Sequence, residues 1–342
     1  MRTLTLLATS VMLSSLLGLA ACGGGGGYGG GGMNMPVMGV GPSKLFAADS
    51  TDSVVGSLAN PNPATGSLMV DRRIGPQPGA IPYNYAMFSM NIGSLALDTT
   101  RDILYIGNGT SILVFHTASM ANGDLFTNAT IGTIGNTGSM FLDAAHDSLY
   151  VGDDVNNVKV FSPASTANSM STPRLVTGMT TPIHGVAVDT VNNVLYVSNE
   201  NSTTHQISVF DNAATVTNAA PNRTIIPTVL AVNRPVGGIS LDATHDRLYV
   251  APGSGGNGIM VFNTASAATG AIPPDKTLAI TTAPGILNVV VDAVNDRLYA
   301  VGSNGHIYLI EAVSTLNTGT ATAKDASLSN GGMLTAVAVN PS

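Results

Sequence analysis

A closed ring of six blades, each a four-stranded antiparallel sheet, is the fold class this chain predicts, and three observations predict it. An apolar hairpin signature recurs as Leu95–Asp98 with Leu104–Ile106, Phe141–Asp143 with Leu149–Val151, Val186–Asp189 with Leu195–Val197, Ile239–Asp242 with Leu248–Val250 and Val289–Asp292 with Leu298–Ala300. Second strands begin near Leu45, Leu104, Leu149, Leu195, Leu248 and Leu298, a period of 45 to 59 residues that suits one four-stranded blade. The sixth hairpin is split, with Ala336–Val339 and Asn340 at one end of the chain and Leu45–Ala48 near the other. A repeat whose last unit is completed by its first closes on itself and leaves no open sheet edge at the seam.

In chain order, residues 1–21 read as a signal peptide: Arg2, an apolar run from Leu4 to Leu19 too short to span a bilayer comfortably, then small residues. Residues 22–42 follow as a tether, with nine glycines between Gly23 and Gly32 broken only by Tyr28, a composition unable to offset its ordering entropy by burial. Met33, Met35 and Met38 close this segment; three thioethers suit Cu(I), and the simpler expectation is a spacer. Residues 43–342 form the ring as one domain.

Within it, Gly185–Asp189 is an inner strand and Thr190–Asn193 a polar turn. Val194–Ser198 is a second strand, Gln206–Phe210 a third with period-two alternation, and Asn222–Ile226 an outer strand. The third strand recurs as Ile112–Phe115, Val158–Phe161, Ile259–Phe262 and Ile307–Ile310, with Val54–Leu58 as a degenerate first copy. The mature domain has no cysteine to pair with Cys22, so ring closure must supply what disulfides give other extracytoplasmic domains. Thirteen Lys and Arg against a net charge of −7, with no basic run, exclude a phosphate-tracking groove and hence a nucleic-acid partner.

The pattern Gly-(apolar)-Ala-Val-Asp…Leu-Tyr-Val…Ile-x-Val-Phe-x-x-Ala resembles the NHL and YncE-like β-propeller repeats of bacterial envelope proteins, over roughly Ser43 to Ser342. That resemblance implies a six-bladed β-propeller and leaves function open, because such rings serve unrelated roles. Leu19-Ala-Ala-Cys22 resembles the lipobox of bacterial lipoproteins. This implies that Cys22 is the lipid-attachment residue and the mature N-terminus, stably anchored by several acyl chains. Gly23, in place of an Asp, favours the outer membrane where a cell has two.

The repeated Asp98, Asp143, Asp189, Asp242 and Asp292, with Asn340 sixth, are read as turn formers, although six such groups around a channel also suit a cation. Tyr105, Tyr150, Tyr196, Tyr249 and Tyr299, with Phe46, are read as inter-blade packing. His146 and His245 stand in polar turns where other units have Arg101, Asn192 and Asn295, and are read as solvated. Departures from the repeat carry the functional reading. His184 occupies a position where other units have Gly93, Gly138, Gly237 and Leu287. The loops after the second strands supply Asn108, Asp153 with Asp154, Asn199 with Glu200, and Ser303 with Asn304. Asp153, Asp154 and Glu200 are expected to give one channel mouth a negative potential, attractive to a cation or a basic peptide.

The binding residues expected are therefore His184, Asn108, Asp153, Glu200 and Asn304, and no catalytic residue is assigned. Inner strands with almost only apolar groups do not build the oxygen-ligand site of metal-dependent propeller lactonases. No tryptophan is present, and no Gly-x-Ser-x-Gly, His-Glu-x-x-His or phosphate-cradling motif occurs. The expectation is an envelope-anchored scaffold for a protein, peptide or glycan, membrane-bound through Cys22. It requires no cofactor, a divalent cation at the channel mouth being the one candidate. A lactonase-like hydrolase or lyase using His184, Glu200 and Asn304 is the alternative.

Overall fold

The computed structural model describes residues 45–51, 53–58, 66–68, 72–75, 92–123, 125–132, 135–179, 182–201, 204–228, 236–328 and 333–340. Cys22, the glycine tract and Met33, Met35 and Met38 lie outside them. The strands assemble into six sheets, each pairing in the order inner, second, third, outer. The chain is all-β, a six-bladed β-propeller. Among the described residues no helix is long and apolar enough to cross a membrane.

Blade 1 is the composite blade. Leu334–Val339 is its inner strand, Leu45–Asp49 its second, Val54–Leu58 its third and Arg72–Ile74 its outer. Leu45 pairs with Val339 and Ala48 with Ala336, antiparallel, as the split hairpin predicts. Blades 2 to 6 begin with the inner strands Ile92–Asp98, Thr137–Asp143, Ile183–Asp189, Ile239–Asp242 and Ile286–Asp292. Their second strands begin at Ile103, Ser148, Val194, Arg247 and Arg297, one residue before the predicted leucine or closer.

Antiparallel connectivity sorts the loops onto two faces. Inner-to-second turns and third-to-outer connections share one, the turn face. Second-to-third loops and the entries to each inner strand share the other, the mouth face. In blade 4 the second and third strands extend to Val194–Asn201 and Thr204–Asp211, so much of the predicted Asn199–His205 loop is paired strand.

Blades are not four-stranded throughout. Gly270–Ile272 adds in parallel to the outer strand Arg223–Pro227, Gly319–Thr320 to Lys276–Ala279, and Gly66–Leu68 to Lys324–Leu328. Each added strand comes from the third-to-outer connection of the next blade, so it stitches neighbours along the perimeter.

The core lies between blades rather than within them. Each of six apolar clusters joins one face of a blade to the next; Phe46, Ala48, Val55 and Ala338 of blade 1 pack on Leu95, Leu104, Ile106 and Phe115 of blade 2. Tyr105, Tyr150, Tyr196, Tyr249 and Tyr299 are all buried in these seams, with Phe46 in the equivalent place. Burial raises every one of these phenols, Tyr196 and Tyr299 to about 12.

Candidate functional site

The turn face is uniform because one hydrogen-bond scheme is repeated on it. Asp98, Asp143, Asp189, Asp242 and Asp292 are buried. In each, Oδ1 accepts backbone N–H groups of its own turn, as Asp189 does from Val191 at 3.0 Å and Asn192 at 2.8 Å. The other oxygen meets the side chain three residues on: Arg101, Asn192 and Asn295 donate to it, and His146 and His245 lie 2.7 Å away through Nδ1. These histidines are exposed but held, so solvation is half of their description. A second acid per turn, Asp102, Asp147, Asp246 or Asp296, has positive φ and accepts from the N–H and hydroxyl of a serine across the face. The carboxylates are consumed by the turns they make, which leaves no cation ring there.

The channel is walled by all six inner strands and encloses about 220 Å³. It carries more polar groups than the apolar reading of the inner strands anticipated: Ser94, Ser139, Ser240 and Asn288 line it. Two of the serines are spoken for, since Ser139 Oγ accepts from Val186 N at 3.1 Å and Ser240 Oγ from Val291 N at 3.0 Å, each across a seam.

At the mouth face the channel opens into a hollow of about 280 Å³. Its rim gathers the residue five positions before each repeat Asp: Gly93, Gly138, His184, Gly237, Leu287 and, counted from Asn340, Thr335. The sequence placed five of these six in one register, and they do meet. The glycines stand where neighbouring inner strands nearly touch. A Cβ on Gly237 would come within 2.5 Å of the Leu287 carbonyl oxygen, and one on Gly93 within 2.7 Å of that of Thr137. The close approach leaves His184 as the rim's one imidazole, accompanied by Ser254, Asn288 and Thr335. Thr335 Oγ1 donates to the Ile92 carbonyl at 2.7 Å.

Asn108, Asp153 and Asn304 do not line this hollow. Asn108 is buried at the end of its strand. Asp153 is fully buried: Oδ1 accepts from the backbone of Val155 and Asn157, and Oδ2 forms an ion pair with buried Lys159. Its expected contribution to a negative mouth is thereby corrected, because strand pairing runs one residue further than the loop reading assumed and hands the charge an internal partner. Asp154 is exposed and accepts from Asn136. Glu200 pairs in register with His205 on the long hairpin of blade 4. Asn304 is exposed and donates to Tyr308 Oη at 2.9 Å. Among the described residues no group of three His, Cys, Asp or Glu could hold a metal ion.

One regularity was missed altogether. Outer strands open with a cation whose head reaches carbonyls in the next blade: Arg72 to Ser119, Arg174 to Ala213 and Val216, Arg223 to Ala265 and Ala268, Lys276 to Leu316. Burial lowers the Arg174 guanidinium despite the neighbouring Tyr150. The signal in the sequence was a basic residue at the start of each outer segment, Arg72, Arg174, Arg223, Lys276 and Lys324, with Ala129 as the exception.

Two solved propellers superpose on the chain. One is in a crystal structure of a nidogen–laminin complex, with a TM-score of 0.54 and 14% identity over 87% of this chain and 97% of that one. The WD40 propeller domain of Doa1 gives 0.52 and 13% identity, covering 85% of this chain and 81% of its own. Such likeness is one of fold. No family model matches the chain, and no curated protein matches it.

Proposed function

We propose that this is an NHL/YncE-like propeller of the bacterial cell envelope, lipid-anchored at Cys22, that binds a protein, peptide or glycan at its mouth face. The observation that carries the binding face is the rim: His184 in a ring otherwise built from Gly93, Gly138, Gly237, Leu287 and Thr335. Repetition explains Gly93, Gly138 and Gly237, which close backbone approach requires; Leu287, Thr335 and His184 depart from it, Thr335 being bonded to the Ile92 carbonyl and Leu287 apolar, so His184 is the departure that brings an imidazole. The hollow sets an imidazole beside the hydroxyls of Ser254 and Thr335 and the amide of Asn288, with no Asp, Glu, Lys or Arg among the described residues that line it, which suits a peptide backbone or sugar hydroxyls better than a charged ligand. The nidogen–laminin complex is an assembly of proteins, in keeping with a protein partner. The lipobox-like Leu19–Cys22 and the glycine tract support an anchor on a tether.

The test is affinity capture on the intact chain from detergent-solubilised envelope, comparing wild type with His184→Gly, which copies the other blades, and with His146→Asn on the turn face, which copies blades 4 and 6. The reading expects a partner retained by wild type and His146→Asn and lost by His184→Gly. Equal capture by all three would remove the mouth face from consideration.

A further inference from the structure

The perimeter of blade 2 departs from every other perimeter that the described residues show. The outer strands of blades 4, 5 and 6 are each covered by a short parallel strand from the next blade. That of blade 1 bridges in parallel to Gly123, with Gly123 N donating to Arg73 O at 2.6 Å. That of blade 3 receives Thr217, whose hydroxyl donates to the Leu175 carbonyl at 2.9 Å. The outer strand of blade 2, Ala129–Gly132, ends its sheet with no added strand among the described residues. A Cβ on Gly132 would meet nothing within 4 Å. The segment of blade 3 that should cover it instead closes on itself, Met170 N donating to Asn168 Oδ1 and Ser171 N to the Asn168 carbonyl. Phe126 and Met170, in the two segments that border this edge, are 89% and 87% exposed.

The same junction lacks its cation. Ala129 stands where blades 1, 3, 4 and 5 place the Arg or Lys that caps the next blade's turn. The matching carbonyls, by position in the repeat, are those of Ala164 and Ala167, and both residues pack in the seam with Tyr105. Tyr105 is fully buried and its Oη has no hydrogen-bond partner. In the next seam Tyr150 Oη donates to the equivalent carbonyl of Ala213, to which Arg174 also donates. The Ala164 carbonyl accepts from Ala167 N at 3.1 Å, as the Ala265 carbonyl of blade 5 accepts from Ala268 N while also taking Arg223; a second donor is what the blade 2 junction lacks, and a guanidinium has enough donors to serve that carbonyl and the phenol together.

We propose that the outer edge of blade 2 is a docking site for an extended peptide segment carrying an arginine, which adds in parallel as a fifth strand and sends its guanidinium to Tyr105 and the Ala164 and Ala167 carbonyls. Strand addition is an established mode of peptide recognition, and the resident fifth strands show what the edge accepts: Gly270-Ala-Ile272, Gly319-Thr320 and Gly66-Ser-Leu68, small then larger. Register follows from blade 4. Arg223 faces Val209 as Ala129 faces Val114, and Ile225 pairs with Gly270, so the glycine of the ligand sits beside Ile131. The residue two before that glycine is then level with Ala129, which makes the ligand Arg-x-Gly-small-aliphatic.

The experiment uses the intact protein and a fluorescein-labelled peptide Arg-Thr-Gly-Ala-Ile, read by anisotropy, with the Gln-Thr-Gly-Ala-Ile peptide as control. Wild type binds the arginine peptide about tenfold or more tighter than the glutamine peptide, the cost of losing a charged donor. Ala129→Arg supplies the guanidinium from within: it weakens binding about tenfold and raises Tm. The proposal is overturned by any of four results: equal binding of the two peptides, unchanged binding by Ala129→Arg, a lowered Tm for that variant, or occupation of the edge by a second copy, seen as a wild-type dimer that Ala129→Arg dissolves.

Discussion

The two faces of this ring are built by opposite rules. On the turn face, five blades repeat one acid, one turn and one side-chain partner, and the variation among Arg101, His146, Asn192, His245 and Asn295 preserves a single hydrogen bond to the acid. On the mouth face, equivalent positions hold residues of unrelated chemistry: Asn108, the buried Asp153–Lys159 pair, Asn199 bonded to Ser208, then Pro252 and Gly302. Stability constrains a turn that every blade needs. A loop that no neighbour depends on is free to be shaped by a ligand. The contrast separates residues whose role repeats in every blade from residues fitted one blade at a time.

The largest effect should come from the seam that both faces share. Deleting Leu334–Ser342 removes the buried Leu334, Ala336, Val337 and Ala338 and leaves Leu45–Asp49 as an open edge. Each large aliphatic alone is worth about 1.5–3 kcal/mol when buried. Loss of the cooperative melt, or aggregation in size-exclusion chromatography, is the expected outcome; an unchanged melt would refute ring closure as the source of stability.

Next in size is alkaline unfolding, which tests the seams between blades. Tyr196 and Tyr299 sit at about 12 because burial disfavours the phenolate, against ~10 in the unfolded chain. The folded state keeps its protons longer, so this stability is intact below pH 10 and is lost as pH climbs from 10 toward 12. The slope is about 1.4 kcal/mol per pH unit for each such group. Urea titrations across that window should show the fall, and Tyr196→Phe should make it shallower.

A single turn is smaller still. Asp189→Ala strands two backbone N–H groups and Asn192, at a cost of about 1–3 kcal/mol in urea unfolding, with partner capture retained. His184→Gly should be the smallest, within about 0.5 kcal/mol of wild type, because three blades already carry glycine there. If the two variants exchange their effects, the division of labour between the faces is wrong.

The ring was legible in the sequence because every blade spells the same hairpin, so five independent copies corrected one another's ambiguity. Closure was legible for the same reason: Ala336–Val339 and Leu45–Ala48 are the two halves of a signature already read five times. The fifth strands were not, since three residues such as Gly270-Ala-Ile272 carry no periodicity and pair only because a neighbouring blade presents an edge. Asp153 looked like a loop acid because its partner, Lys159, reads as one polar residue in an apolar strand; only the register that sets the two strands side by side joins them. The rim around His184 was found as an alignment position, while Ser139 and Ser240 of the channel were passed over because their hydrogen bonds run to another blade.

The chain's own break has a directional consequence. Blade 1 lacks the inner-to-second turn of the other five, and in its place Val339 ends one strand beside Leu45, which begins the next. Leu45 therefore enters the ring on the turn face. The one break in the ring thus falls among the turns that the other five blades close, and the rim with His184 lies on the opposite face.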